Sequence, residues 1–169
     1  MNLSQPFKFA ALSAGIVVAV KLSSFFTHTQ FSGIGAYSGL IALGLTGIPL
    51  YLGIKDKRDN ELDGYITLRQ IMIIGVLISI QASILVALYN YIHYSFIDLE
   101  VMKHWESEAR RLGANENKSE KEIVAAIKML KEFYAPFKQA TVALTGVLGT
   151  GTVLSFILSS FLIRKEENS

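Results

Sequence analysis

The sequence predicts an all-α integral membrane protein, a four-helix bundle with two extra-membrane amphipathic helices between spans three and four. Three observations predict it. Charged residues make up 18% of the chain and are absent from long blocks, whereas soluble domains average about a quarter charged. Small residues recur at every fourth position inside those blocks. The intervening charged segment near the C-terminal end carries two apolar stripes of helical period.

No Lys, Arg, Asp or Glu occurs from Leu22 to Ile54, from Gln70 to Ile97, or from Gln139 to Ile163. A helix crosses a bilayer in roughly 20 residues. The first block is too long for one crossing, and it joins the apolar run before Lys21 to make two. The spans are placed at residues 7–27, 33–54, 68–97 and 139–163, within one membrane domain of 169 residues. Backbone in lipid must satisfy its own hydrogen bonds, so each span is expected to be a helix. The first 20 residues have some look of a signal peptide. Their charge is sparse and the apolar run continues to Phe26 without a small-x-small site, so they are read as an uncleaved span.

In span one the small row is Ala11, Gly15, Ala19 and Ser23. Span two has Gly35 and Gly39, then Gly47, and Pro49 predicts a kink near Leu45 because it lacks a backbone donor. Span three has Gly75, Ser79, Ser83 and Ala87. Span four has Thr141, Thr145 and Gly149, with a second row of Gly151, Ser155 and Ser159. Such rows let helix backbones approach closely where lipid supplies no hydrophobic drive between helices. They serve a bundle packed on itself, or a contact with a membrane-protein partner or a second copy of the chain.

The segment between spans two and three, "GIKDKRDNELDGYITLRQ", is crowded with charge. Asp59, Glu61, Asp63 and Gly64 copy the start of a calcium loop, but its twelfth position is Gln70, where a bidentate Glu is needed. The better reading is a turn at Asp63-Gly64. Thr67 and Gln70 then form a capping box that starts span three, with Ile66 and Ile71 as its hydrophobic staple. Lys55, Lys57 and Arg58 are expected at lipid-headgroup depth. The link after span one has no Lys or Arg, whereas this one has four and the tail adds Arg164 and Lys165. The positive-inside bias therefore puts both termini in the cytoplasm.

The long link, residues 98–138, carries eight basic and eight acidic residues. Met102, Trp105, Ala109 and Leu112 share one helical face, with Gly113 as the expected stop. Ser119 and Glu122 form a capping box for the next helix, whose stripe runs Ile123, Ile127, Leu130, Tyr134 and Phe137, with Pro136 as its end. These two helices are free to rest on the headgroups, to pair as a hairpin, or to receive a partner.

Little chemistry shows. There are no cysteines, which excludes disulfides and thiolate catalysis. His28, His93 and His104 lack metal-ligand spacing, and they read as interfacial residues beside Tyr89, Tyr91 and Tyr94. Lys21 is the one charge well inside a span and is expected to snorkel to the interface. Gln81 and Asn90 are expected to hydrogen-bond between helices. The net charge of +2 is too small to argue for nucleic acid. No catalytic, cofactor-binding or metal-binding set is found, so the expectation is a non-enzymatic protein without cofactors, whose first partner is the lipid bilayer.

The "GIK…RD" exit from span two, the "GYIT" turn, Gly75 with its Ser-rich span, and the Tyr-rich end leading to "FID" resemble the domain of unknown function 4199 family, bacterial membrane proteins common in Bacteroidota. The likeness covers most of the chain. It implies a four-span inner-membrane protein, and it brings no assigned catalytic or binding residues. Members usually carry Pro after the "FID" aspartate, where this chain has Leu99. The function expected is that of a subunit or accessory of an envelope membrane complex. The alternative is a small transporter or lipid-linked-sugar carrier beside a membrane glycosyltransferase, with Lys21, Gln81, Asn90 and the Pro49 kink on its path. A metal-dependent enzyme would need the histidines and Asp98 to converge.

Overall fold

The computed structural model describes residues 4–31 and 33–164. Seven α-helices account for most of them: α1 Ser4–Phe26, α2 Ser38–Leu45, α3 Gly47–Glu61, α4 Leu68–Ile92, α5 Val101–Asn115, α6 Glu120–Phe133 and α7 Pro136–Leu162. A 3-10 turn, Gly33–Tyr37, leads into α2, and a π-helical turn, His93–Ile97, extends α4. Four stretches are long and apolar enough to cross a membrane: Gln5–Phe26, Ser38–Glu61, Leu68–Ile97 and Pro136–Leu162. The protein is a multi-pass, all-α membrane protein. Lys165, counted above with the basic tail, lies outside the described residues.

The helices form two compact units, one from Met1–Val86 with Leu144–Ser169, the other Ala87–Ala143. In the first, α1 packs on α2 and α3. It turns Phe9, Ala10, Ser13, Ala14, Val17 and Ser24 inward, at helical spacing. Span two breaks where Pro49 predicts, at Thr46, whose hydroxyl donates back to the Leu43 carbonyl at 2.6 Å. Beyond the break, α3 does not stop at Ile54 as the sequence reading expects. It runs two further turns to Glu61, because "KDKRDNE" contains no helix breaker and is stitched by i,i+4 contacts of Lys57 with Glu61 and of Asn60 with Asp56.

The turn that follows is the expected one. Asp63 and Gly64 have φ of 50° and 84°, and the Tyr65 N–H donates to the Leu62 carbonyl at 2.9 Å. Gln70 Oε1 accepts the Thr67 N–H at 2.9 Å, which completes the capping box, and Ile66 and Ile71 are both buried. Ile66 also pairs with Arg164 through two backbone hydrogen bonds of 2.9 and 3.1 Å, an antiparallel bridge that straps the end of α7 across the α3–α4 connection.

In the second unit α5 and α6 pair as a hairpin. Gly113 is not the stop of α5. The helix continues to Asn115, and Gly113 is instead a point of close approach to α6, since a Cβ there would lie 2.5 Å from Ile123. Asn117, at φ 53°, turns the chain, and the Lys118 N–H donates to the Gly113 carbonyl at 2.9 Å. The Ser119/Glu122 capping box forms in full. Pro136 opens α7, at a first-turn position whose N–H needs no helical partner. The freed Phe133 carbonyl accepts from Gln139 Nε2 at 2.8 Å.

Candidate functional site

Three clusters combine burial with specific geometry. The first joins α4 to α7. Gly75 faces Ser155 and Gly151 faces Ser79, so closely that a Cβ on either glycine would lie about 2 Å from the opposing hydroxyl. The pairing is reciprocal and antiparallel. Each serine hydroxyl donates to the glycine carbonyl four residues back in its own helix, at 2.7 Å in both cases. The serines thus make no demand on their neighbours and pack as small side chains. Ser83 and Ser159 also donate within their own helices, three residues back, to the carbonyls of Ile80 and Phe156. Gly53 forms a second tight junction, where a Cβ would lie 2.7 Å from Ile78 and 2.9 Å from Phe9.

The second cluster sits at the end of α3. Pro49, Leu50, Gly53, Ile54 and Arg58 are its buried residues, so Arg58 continues an apolar stripe. Its side chain is only 8% exposed, and its Nε donates to Asp59 Oδ1 at 2.6 Å. Arg58 is therefore not the outward headgroup contact that the sequence reading made of it. Lys55 is exposed, and Lys57 lies against Glu61.

The third cluster belongs to the second unit. His93 is 1% exposed, with Nδ1 3.1 Å from the Tyr89 hydroxyl and Nε2 3.9 Å from Asp98 Oδ2. Asp98 Oδ1 accepts the Val101 N–H at 3.1 Å, so the turn into α5 forms with Leu99 in place of proline. The Tyr94 ring meets His93 and Tyr134, and Trp105 stacks on Tyr134. Burial, helped by the Asp98 charge, pushes the Tyr134 hydroxyl above its ordinary value. His93 is thus a buried core residue of the second unit. Among the described residues no group of three or more His, Asp or Glu is placed to hold a metal ion.

Comparison with known families decides what the chain is. A model of the family described as "Protein of unknown function (DUF4199)" matches residues 8–164. The chain belongs to this family. No curated protein and no solved structure matches it. DUF4199 membership carries no residue roles, so these clusters stand on geometry alone.

The remaining sequence candidates scatter. Gly75, Ser79 and Ser83 are buried as a packing row. Ala11, Gly15, Ala19, Gly39, Thr145 and Gly149 point outward, with open space where a Cβ would stand on Gly15, Gly39 and Gly149. Gly35 is tight against the Thr29 backbone rather than against another helix. Lys21 is half-buried, and Asn90 is buried in the second unit. Gln81 Oε1 is enclosed and has no hydrogen-bond partner among the described residues. Neither Lys21 nor Gln81 lines the ≈590 Å³ cleft between α1 and the start of span two, whose walls include Ala19, Ser23, Thr27, Gly35 and Ser38.

Sequence reasoning missed Ala10, Ser13 and Ala14 as the packing face of α1, and Arg58 as a buried residue. A signal existed for Arg58, which follows Leu50 and Ile54 at intervals of four. None existed for α1, because two small rows lie side by side there.

Proposed function

We propose that this chain is a non-enzymatic integral protein of the bacterial inner membrane that serves as a subunit or accessory of an envelope membrane complex. The observation that supports the reading is the outward row Ala11, Gly15, Ala19 and Ser23 on α1. The bundle uses Gly75, Ser79, Gly151 and Ser155 for its own closure, and leaves a second ladder of the same kind exposed, whose Ala19 and Ser23 end also borders the cleft beside the start of span two. Small residues let another transmembrane helix approach to backbone distance, so the partner is a membrane-embedded helix of another protein or of a second copy.

Orientation follows from charge. Gln5, Pro6 and Phe9 of α1 line one void with Gly53, Asp56 and Lys57 of α3 and Ile74 of α4, and the Ile66–Arg164 bridge brings the end of α7 to the α3–α4 turn. Lys8, Lys55, Lys57, Arg58, Arg69 and Arg164 all belong to these helix ends, which supports a cytoplasmic position for them and for both termini.

Crosslinking of the full chain in native membranes, followed by purification in mild detergent, tests the proposal. The expected result is a discrete complex that Gly15→Leu dissolves while the variant keeps wild-type helicity, since nothing lies within 4 Å of that site. A wild-type chain that stays monomeric and brings down no partner would overturn it.

A further inference from the structure

The α5–α6 hairpin has two unlike edges. At one, ion pairs tie the helices together, Arg110 to Glu120 at 3.1 Å and Lys131 to Glu106 at 3.7 Å. At the other, the helices part around a groove of ≈350 Å³ whose apolar walls are Trp105, Ala109, Leu112, Ile123, Ala126 and Leu130. The charges beside that groove are engaged locally, Glu108 with Arg111, Lys118 with Glu116, and Glu122 in its capping box.

The sequence of α6 accounts for the difference. With 3.6 residues per turn, the helix divides into three arcs. Ile123, Ile127, Leu130 and Tyr134 form the first, which packs on α5 through Gly113 and Trp105. Lys121, Val124, Lys128 and Glu132 form the second, which is exposed and mostly charged. Ala126, Met129 and Phe133 form the third, which is exposed yet apolar, and its one charge, Glu122, is the one held in the cap. Met129 is 70% exposed on this arc.

The third arc does not end with α6. Phe137 stands in the first turn of α7, itself long and apolar enough to cross a membrane, and is 78% exposed. Met129, Phe133 and Phe137 thus make one apolar row, at four-residue intervals, that leads from a membrane span onto the hairpin. We propose that the groove edge of the hairpin is a membrane-docking face, seated in the headgroup–acyl boundary beside the entry of α7, with the lysine arc toward water. Amphipathic helices bury such a face about 5–10 Å into that boundary. Continuity with Phe137 selects lipid as the occupant, because the row already meets acyl chains at its α7 end.

The chain has no cysteine, so spin labels on single-cysteine variants of the full-length protein test the face, in liposomes of phosphatidylcholine and phosphatidylglycerol. Power saturation compares contact with oxygen, which concentrates among acyl chains, and contact with a water-soluble nickel chelate. Met129→Cys and Leu112→Cys are expected to favour oxygen and to report depths of about 5–10 Å into the boundary. Val124→Cys, also exposed but on the lysine arc, is expected to favour nickel. All three positions are exposed, so circular dichroism should be unchanged by the labels. Nickel contact at Met129→Cys and Leu112→Cys equal to that at Val124→Cys would overturn the face, since the hairpin would then stand in water. Poor contact with both reagents would overturn it as well, since protein would then cover the edge, and spin–spin broadening would mark that protein as a second copy.

Discussion

At Gly151 a single hydrogen atom separates a closed bundle from a clash. A Cβ there would fall 2.1 Å from the Ser79 hydroxyl, and one at Gly75 would fall 2.0 Å from that of Ser155. Gly151→Val and Gly75→Val should each cost about 1–3 kcal/mol, the usual range for overpacking, measured as a lower unfolding midpoint in detergent. Gly149→Val, with open space at its Cβ, should leave that midpoint in place. Ser79→Ala is expected to be mild, under about 1 kcal/mol, because its hydroxyl serves only its own helix. If Ser79→Ala proved as damaging as Gly151→Val, the serine would be bonding across the interface and the account of the pair would fail.

The elements are set by local devices, and the caps are the clearest. The Glu122 carboxylate accepts from the Ser119 hydroxyl and backbone N–H, which holds it below its ordinary value of 4.5. A lowered folded value means that this contribution is fully present above the unfolded value and fades as pH falls through the folded one. Amide exchange at the first turn of α6 should therefore be protected at neutral pH and lose protection only as the pH falls below the ordinary value of 4.5. Ser119→Ala should lower protection at neutral pH too, by about 1 kcal/mol, and flatten the pH dependence. A wild-type profile flat down to pH 2 would show that the box is not formed in solution. The same residue pattern was readable for Thr67 and Gln70, because a capping box spans only four residues. Gly113 was misread for the opposite reason. A glycine near a helix end reads as a stop, and only the position of Ile123 on another helix reveals it as a point of close approach.

For the whole molecule, an even number of crossings puts both ends on one side. The chain has no cysteine, so single-cysteine variants report topology without background. Lys55→Cys and Arg164→Cys should react with a membrane-impermeant maleimide from the same side, and Lys103→Cys on α5 from the other. Labelling of Lys55→Cys and Lys103→Cys from one side would refute four crossings in this order. The sequence by itself determined the apolar spans, the break ahead of Pro49, the Asp63-Gly64 turn and the caps, because each depends on residues within a few positions of one another. Only the tertiary structure decided which small-residue row closes the bundle, that Arg58 is buried, and that His93 meets Asp98 and Tyr89 in a core. A row repeating at every fourth residue states that one face of a helix is narrow. It does not state what that face meets, and on α7 two such rows lie on nearly opposite sides. That choice is made by segments far apart in the chain, through contacts that exist only once the helices have assembled.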